Sequence, residues 1–366
     1  MNPIDELRRC GQSLWLDYIS RGMIRSGELK RLIEQAGITG LTSDPTLFER
    51  AIDETHDYDD ALRRLDADPR LDARAVYESL SVEDVRAAAD ALRPVYERTG
   101  GADGYASIEV SPHLAHDSNG TVAEASRLWH EIDRPNVMVK IPATREGIPA
   151  IEAALASGIN INITLILSMR QYEAVAGAFL RGIERLSSPT RSASVASVFV
   201  SRIDTAVDRE LEKIGTPEAH ALRGRAAIAN ARLIYRRFRE IFDSPRFAGL
   251  RMRQVHAQRV LWGSTGARNP GYSDVMYVEE LIGPDTINTV PPATLRAFQE
   301  HGRIRGASAA EGWSEAESTL QLVQAVGVDL EAVLDKLQSE GVAAFGRSLD
   351  KLLATLERKH SLTLHV

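Results

Sequence analysis

The sequence predicts an α/β protein that folds as a (β/α)8 barrel of the TIM type with additional helices. Along its 366 residues, short apolar runs with the period of a β-strand alternate with amphipathic helical stripes. About eight such runs can be counted, and the chain length lies in the range of one large barrel. Polar and charged residues recur within these runs or at their ends, where barrels of this type hold their active sites.

The composition is that of an ordinary globular protein, with 43% hydrophobic and 26% charged residues. A net charge of −7 and the lack of a long Lys/Arg run predict that nucleic acid is not a partner. No apolar stretch approaches the roughly 18 residues of a membrane span, so no membrane association is expected. Cys10 is the single cysteine, and the first residues lack the apolar run of a signal peptide, so a cytoplasmic protein is predicted.

The first predicted strand, residues 13–19, carries Asp17 inside an otherwise apolar run. A carboxylate there is either a cap at the strand end or a general base. The second strand, residues 38–43, is followed by Asp44 and Pro45. Asp at an N-cap with Pro at the first helical position is good capping chemistry, so structure alone can account for Asp44.

Residues 105–111 and 136–144 form the third and fourth predicted strands. Glu109 is a site candidate, because a glutamate is depleted in strands and costly to bury unpaired. Lys140 lies on the face of the fourth strand opposite to its β-branched residues. Because burial disfavours an ammonium ion, such an amine loses proton affinity and can attack a carbonyl. Lys140 is therefore the candidate nucleophile, although a lysine at a strand end can also simply reach solvent.

The fifth predicted strand, residues 158–167, places Asn160, Asn162 and Thr164 on one face by strict alternation. A polar outer face is one interpretation. Strands of a parallel barrel are covered on both sides, however, so three polar residues facing inward are expected to line a wet pocket.

The last three strands are predicted at residues 195–202, 258–264 and 286–290. The sixth strand ends in Arg202, and a glycine-bearing loop with Ser264 and Arg268 follows the seventh. Barrels often hold phosphate in such late loops, through backbone N–H groups and a guanidinium fork. This loop is the candidate phosphate site.

The chain is predicted to be a single barrel domain over residues 1–366, with helical insertions near 53–104 and 204–256 and extra C-terminal helices near 303–366. No linker rich in Pro, Gly or Ser marks a domain boundary. Within the last range, Gly341 is expected to break the helical pattern.

Between the third and fourth strands, His113 and His116 raise the alternative of a metal-dependent barrel hydrolase. No second ligand cluster with the usual spacing follows, so no metal is predicted. In the same segment Thr121 and Glu124 have the spacing of a capping box, which predicts that a helix begins there.

Several motifs, in order along most of the chain, resemble the transaldolase family. They are ITGLTSDPTLF at residues 38–48, SIEV at 107–110, VMVKIPAT at 137–144, NITL at 162–165 and NTVP at 288–291, with the seventh-strand loop. The resemblance implies a transferase of the non-oxidative pentose phosphate pathway that needs no cofactor. It implies transfer of a dihydroxyacetone unit from sedoheptulose 7-phosphate to glyceraldehyde 3-phosphate, giving erythrose 4-phosphate and fructose 6-phosphate. The expected partners are these small-molecule sugar phosphates, and the expected state is a monomer or homodimer.

The same resemblance implies four catalytic residues. Lys140 attacks the C2 carbonyl of the donor and forms a Schiff base. Asp17 takes the proton of the C4 hydroxyl as the C3–C4 bond breaks. Glu109 and Thr164 move protons through a water during dehydration of the carbinolamine and its reversal.

The resemblance also implies how the substrate is held. Asn162 and Ser197 hold hydroxyls of the bound triose unit. Arg202, Ser264 and Arg268 bind the phosphate.

One position departs from the family pattern, which usually has Asn where this sequence has Asp44. An ionised Asp44 near Lys140 favours the ammonium ion, yet it can also stabilise the later iminium ion.

One alternative function is that of a fructose 6-phosphate aldolase-like enzyme that releases free dihydroxyacetone. Glu109 counts against it, as does Phe199, since the related aldolases resemble one another in carrying Tyr there. Asp44 motivates another alternative, a non-catalytic sugar-phosphate-binding protein on the same scaffold.

Overall fold

The computed structural model describes residues 3–66, 71–186 and 192–363, and its eight strands form one closed barrel in chain order. The strands are β1 (Gln12–Asp17), β2 (Gly40–Thr42), β3 (Tyr105–Glu109), β4 (Val137–Pro142), β5 (Ile161–Ile166), β6 (Ser194–Phe199), β7 (Arg259–Gly263) and β8 (Thr286–Val290). Each strand is parallel to both neighbours, and β8 closes the barrel on β1. The predicted fold class is confirmed.

The helices alternate with the strands and outnumber them. They are α1 (Pro3–Arg9), α2 (Arg21–Arg25), α3 (Glu28–Gln35), α4 (Pro45–Glu54), α5 (Asp59–Asp66), α6 (Ala73–Arg98), α7 (Ser118–Ile132), α8 (Gly147–Ala156), α9 (Met169–Glu184), α10 (Ser201–Ile214), α11 (Pro217–His220), α12 (Ala226–Phe242), α13 (Pro245–Met252), α14 (Met276–Glu279), α15 (Pro292–His301), α16 (Trp313–Ala325) and α17 (Leu330–Thr363). Two short 3-10 helices lie at Pro112–Leu114 and Ser308–Ala310.

Helices occupy the three ranges where additions to the barrel are predicted. The first range holds α5 and α6, the second α10 to α13, and the last α16 and α17. Parts of these ranges, residues 67–70 and 364–366, lie outside the described residues, as do residues 1–2 of the predicted domain. That the chain forms one domain stays a prediction. Among the described residues, no helix has the combination of length and apolar character that a bilayer crossing requires.

The alternation of side chains divides each strand between two environments. Val137, Val139 and Ile141 of β4 are fully buried within the main core cluster. Met138 belongs to a separate cluster with residues of other strands, such as Leu261 and Ile287. Inward-facing residues of alternate strands fill such barrels in layers. Lys140 lies two residues after Met138 on β4, and therefore on the same face of the strand. The interpretation of β4 is confirmed.

Two local predictions are wrong. The helix α7 begins at Ser118, and Asp117 caps it by accepting a hydrogen bond from the N–H of Gly120 at 3.0 Å. Glu124 instead accepts from the N–H of Ser111 at 2.9 Å. Arg202 does not end β6, because that strand stops at Phe199 and Arg202 lies in the first turn of α10.

Asn160 does not line the pocket as expected. It precedes β5, and its side-chain amide donates to the carbonyls of Pro135 and Val137 at 2.9 and 3.0 Å. Its side-chain oxygen accepts from the N–H of Ala193 at 2.8 Å. Asn160 thus links the starts of β4, β5 and β6 by hydrogen bonds. These starts lie at the end of the barrel opposite to the candidate site.

Candidate active site

Strand register brings the candidate residues together at the carboxyl ends of the strands. Glu109 of β3 is in register with Lys140 of β4, and Lys140 is in register with Asn162 of β5. Residues in register on parallel strands point to the same side, so all three side chains enter the barrel. With Asp17, Thr164 and Ser197 among others, Lys140 lines a cavity of about 110 Å³.

The Lys140 ammonium group contacts two acceptors. Its Nζ lies 3.1 Å from Oε2 of Glu109 and donates to the carbonyl of Ser43, also at 3.1 Å. Burial disfavours the ammonium ion, but the charges of Glu109, Asp44 and Asp17 together outweigh this effect and raise the pKa of Lys140. The expectation of a lysine with reduced proton affinity is therefore wrong, because carboxylates of β1, β3 and the start of α4 surround the amine in addition to apolar groups.

The carboxyl groups of Glu109 and Asp17, the two candidate proton carriers, hold their protons more tightly than usual. Burial raises the pKa of Glu109 to about 7, against the opposing effect of Lys140 and with a further contribution from Asp44. Burial and the charge of Asp44 raise the pKa of Asp17 to about 6, although Thr42 donates a hydrogen bond of 2.6 Å to its Oδ1. Both groups can therefore accept and return a proton near neutral pH.

Asp44 has the structural role that its sequence context predicts. It is the N-cap of α4, where its Oδ1 accepts from the N–H of Leu47 at 2.9 Å, and Pro45 opens the helix. Asp44 also lines the cavity of Lys140, and its charge raises the pKa values of Lys140 and Asp17. The capping interpretation and the electrostatic interpretation both hold.

The hydroxyl groups of Thr164 and Ser197 line the cavity, whereas Asn162 does not line it and reaches it only through its contact with Ser197. Asn162 donates from its amide to Oγ of Ser107 at 3.1 Å and accepts from Oγ of Ser197 at 2.6 Å. Thr164 is fully buried, and its Oγ1 has no hydrogen-bond partner among the described residues. A buried hydroxyl without a partner is unusual, so a water or substrate group in the cavity is its natural partner.

The cationic residues lie at the outer end of the same cavity. The guanidinium of Arg202 lies 5.1 Å from the ring centroid of Phe199, while burial and repulsion from Arg268 lower the pKa of Arg202. Ser264 follows β7 with a left-handed φ of 52°, and its Oγ lies 3.1 Å from Oγ of Ser201. Non-glycine residues in this conformation cluster at functional sites.

Comparison with known proteins decides the family. A model of the transaldolase/fructose-6-phosphate aldolase family matches residues 14–356. The chain belongs to this family. A transaldolase of Thermobifida fusca is 48% identical over 356 residues, which are 96% of this chain and 96% of the relative. A transaldolase of Frankia alni is 44% identical over 362 residues, covering 98% and 97%, and one of Thiobacillus denitrificans is 45% identical over 360 residues, covering 97% and 100%. The chain is an enzyme of the transferase class, as these transaldolases are.

Sequence reasoning missed a contribution of α17 to the site of this transaldolase-family barrel. Phe345 is 2% exposed, and its ring centroid lies 5.7 Å from Nζ of Lys140 and 5.8 Å from Cζ of Arg202. Gln338 donates to the carbonyls of Ala143 and Leu165 at 2.9 and 3.0 Å, just beyond β4 and within β5. The apolar stripe of α17 indicated packing on the barrel, but it did not indicate which end.

Gly341 also differs from its prediction, since α17 continues through it without a break. A Cβ at this position would lie 2.8 Å from the side chain of Leu165. Leu165 itself has a φ of 57°, at a shift in the pairing of β5 with β6. The glycine therefore allows α17 to approach the end of β5 closely.

The histidines of the hydrolase alternative do not share a site. His113 pairs with Asp350 at 2.8 Å, and His116 pairs with Glu146 at 3.1 Å. Both imidazoles are largely exposed. In the described ranges, no group of three or more His, Cys, Asp or Glu residues has an arrangement that could hold a metal ion.

Proposed function

We propose that this protein is a transaldolase that moves a dihydroxyacetone unit from sedoheptulose 7-phosphate to glyceraldehyde 3-phosphate through a Schiff base on Lys140. The products are erythrose 4-phosphate and fructose 6-phosphate, as in the non-oxidative pentose phosphate pathway. The observation that carries the proposal is the contact of the buried Lys140 amine, at 3.1 Å, with Glu109, whose pKa is raised to about 7. A carboxylate of that basicity is suited to take the proton of an ammonium ion that must become a nucleophile.

The first stage forms the covalent adduct. Glu109 accepts a proton from Lys140, and the free amine attacks C2 of the donor, whose oxygen becomes the hydroxyl of a carbinolamine. Glu109 and the unpartnered hydroxyl of Thr164 then relay a proton through a water, so that this hydroxyl leaves as water and an iminium ion remains. The iminium ion carries the positive charge that the ammonium ion carried before, so the surrounding carboxylates stabilise both states.

The second stage breaks and remakes the carbon–carbon bond. Asp17 takes the proton of the C4 hydroxyl while the electron pair of the C3–C4 bond moves toward the iminium nitrogen, which yields an enamine and free erythrose 4-phosphate. The enamine then attacks the aldehyde carbon of glyceraldehyde 3-phosphate, and Asp17 returns its proton to the new hydroxyl. Water finally hydrolyses the iminium ion and releases Lys140 with fructose 6-phosphate.

Binding roles follow from the same cavity. Ser197 lines the cavity and donates a hydrogen bond to Asn162, and this pair is suited to hold hydroxyls of the triose unit. Arg202, Ser264 and Arg268 lie at its outer end and are suited to hold the phosphate. The ring of Phe199 lies 5.1 Å from the guanidinium of Arg202 and is suited to orient it.

We also infer a cytoplasmic location and a monomer or homodimer. The single cysteine, Cys10, supports a reducing compartment. Fractionation of cells tests the location. Light scattering of the purified protein tests the oligomeric state.

Borohydride trapping tests the proposed function. The protein is incubated with fructose 6-phosphate and reduced, and intact mass with peptide mapping locates the adduct. We expect a dihydroxyacetone-sized adduct on Lys140 that disappears when erythrose 4-phosphate is supplied before reduction. Lys140→Met abolishes it, whereas the control Lys336→Met, at an exposed position of α17, keeps it.

The two alternatives give other results. If the protein binds fructose 6-phosphate but forms no adduct, the result supports the alternative of a non-catalytic sugar-phosphate-binding protein. An adduct that releases free dihydroxyacetone as fast with an acceptor as without one supports the aldolase-like enzyme.

A further inference from the structure

The loop after β7, residues 264–275, carries Ser264 and Arg268, two of the three residues proposed to hold the phosphate. The third, Arg202, lies in the first turn of α10. Ser264 is joined to α10, because its carbonyl accepts a hydrogen bond of 2.9 Å from the N–H of Ser201. Arg268 lies further on, in an exposed stretch of the loop without helix or strand. Its position relative to Arg202 therefore needs another fixed point.

Tyr272 supplies this fixed point. Its hydroxyl group donates a hydrogen bond of 2.6 Å to Oδ2 of Asp208, which lies further along α10. The other carboxylate oxygen, Oδ1, accepts from the N–H of Gly224 at 2.9 Å, so the carboxylate is held on both sides. Asp208 is buried, and a short hydrogen bond from a hydroxyl group to a carboxylate is among the stronger ones in proteins.

The ring of Tyr272 is held by the chain between α11 and α12. Gly224 has a left-handed φ of 70°, and a Cβ at this position would lie 2.8 Å from Cζ of the ring. The missing side chain thus lets the ring lie directly against the backbone. Ring packing and the hydroxyl hydrogen bond together fix the position of Tyr272.

Among the described residues, no other hydrogen bond joins residues 266–272 to a different segment of the chain. Packing of this part of the loop against α10 is incomplete, because a cavity of about 200 Å³ adjoins both. Arg268 lines the cavity on the side of the loop, and Asp204 and Asp208 line it on the side of α10. The hydrogen bond from Tyr272 therefore restrains a stretch that packing leaves loose.

Repulsion between the two cations explains why a restraint matters here. Arg268 lowers the pKa of Arg202, so the two guanidinium groups are close enough to repel each other. Arg268 is exposed and has no hydrogen bond or ion pair within the described part of the chain, so nothing else keeps it from turning toward solvent. A phosphate group held by both guanidinium groups needs them side by side.

We propose that Tyr272 is a positioning residue, which holds Arg268 beside Arg202 for the phosphate group of the substrate. Its hydrogen bond to Asp208 orders the loop before the substrate arrives, so that binding does not have to do so. This proposal rests on the proposed function, which assigns the phosphate to these two arginines. Tyr272 does not line the cavity of Lys140, so it acts on the affinity for the phosphate and not on the chemical steps.

Steady-state kinetics with fructose 6-phosphate as donor test this role. Tyr272→Phe keeps the ring and removes the hydroxyl group. We expect KM for fructose 6-phosphate to rise about fivefold, while kcat changes less than about twofold. The affinity for inorganic phosphate, measured by titration calorimetry as a probe of the phosphate site alone, should fall by a similar factor.

A second background shows whether Tyr272 acts through Arg268. In Arg268→Gln the group that Tyr272 positions is absent, so adding Tyr272→Phe should raise KM no further. The matched control is Tyr235→Phe, which removes a hydroxyl group that donates to the carbonyl of Pro284 at 3.1 Å, away from the loop. It should leave KM and the phosphate affinity unchanged.

An unchanged KM in Tyr272→Phe overturns the proposal, as does an equal further increase in the Arg268→Gln background. A fall of kcat at unchanged KM also contradicts it. Borohydride trapping of the parent protein separates this proposal from the proposed function. An adduct on Lys140 with unaltered kinetics of Tyr272→Phe rejects the positioning role alone, whereas a parent protein that forms no adduct rejects the proposed function, and calorimetry with inorganic phosphate then still tests Tyr272.

Discussion

Three carboxylates surround one lysine at the bottom of this site, and their positions set its chemistry. Glu109 contacts Lys140 at 3.1 Å, while Asp17 and Asp44 act on it through their charge. In the resting enzyme the lysine is an ammonium ion with a raised pKa, and Glu109 is its nearest base. In the proposed mechanism, activation of Lys140 is therefore a proton transfer within the cluster, and the departure of Asp44 from the family pattern bears directly on it.

Replacing Asp44 by Asn removes one negative charge from this cluster. Because Asp44 raises the pKa values of Glu109 and Asp17, their loss of a proton becomes easier. We expect the acidic limb of the pH profile of kcat/KM to move about one unit lower in Asp44→Asn. The profile reports the cluster as a whole, since its groups titrate together.

The same variant contains its own structural control. Asn caps a helix about as well as Asp, so the thermal midpoint should change little. A pH profile identical to that of the parent enzyme contradicts the electrostatic role of Asp44.

At the scale of elements, α17 completes a site that the strands leave open. The helix runs past the carboxyl ends of β4 and β5, where Gln338 binds two carbonyls and Gly341 permits the close approach. Phe345 then lies over Lys140 and Arg202. A transferase must keep water from its covalent intermediate until the acceptor arrives, so an apolar ring at this position favours transfer over hydrolysis.

Truncation of this ring tests the contribution of α17. We expect Phe345→Ala to increase the release of free dihydroxyacetone relative to transfer severalfold, because water gains access to the adduct on Lys140. Enzymatic assay of dihydroxyacetone and of the transfer product in one reaction measures the ratio. The cost in stability is about 3 kcal/mol, which is typical for such a truncation in a core.

A second truncation separates water access from general loosening. Phe242→Ala removes a ring of equal burial that packs against Phe179, Phe238 and Phe247 on the outer helices. It should lower stability by a similar amount and leave the ratio unchanged. An equal change of the ratio in both variants rules out a specific role for Phe345.

At the scale of the whole molecule, several buried carboxyl groups have pKa values above their usual range. Burial raises the pKa of Glu109 to about 7 and that of Asp204 to about 6. In the unfolded chain these groups lose their protons at a lower pH, so the folded state binds more protons in between. Stability therefore falls as pH rises from about 4 through about 7.

Urea unfolding at two pH values tests this linkage. We expect the free energy of unfolding to be higher at pH 5.5 than at pH 7.5 by about 1–2 kcal/mol. Glu109→Gln removes one of the titrating groups and should make the difference smaller. Stability that rises over this interval in the parent protein contradicts the assigned direction of the pKa shifts.

Local sequence patterns were sufficient for much of the fold and for the central residues of the site. Period-two alternation in residues 137–141 placed Lys140 on the face opposite to the β-branched residues, and Asp44 with Pro45 located the start of α4. These features depend on a few consecutive residues, whose backbone and capping preferences act locally. The loop with Ser264 and Arg268 was recognisable for the same reason.

Only the tertiary structure decided how these residues behave. The raised pKa of Lys140 results from carboxylates on three other segments, and the enclosure of the amine results from Phe345, more than 200 positions away in the chain. Proton affinity and ligand access depend on proximity in space, on burial and on local charge. No short stretch of sequence determines these three properties. The sequence by itself thus determined the order of the strands and the candidates for the reactive groups, and the tertiary structure determined their protonation and their surroundings.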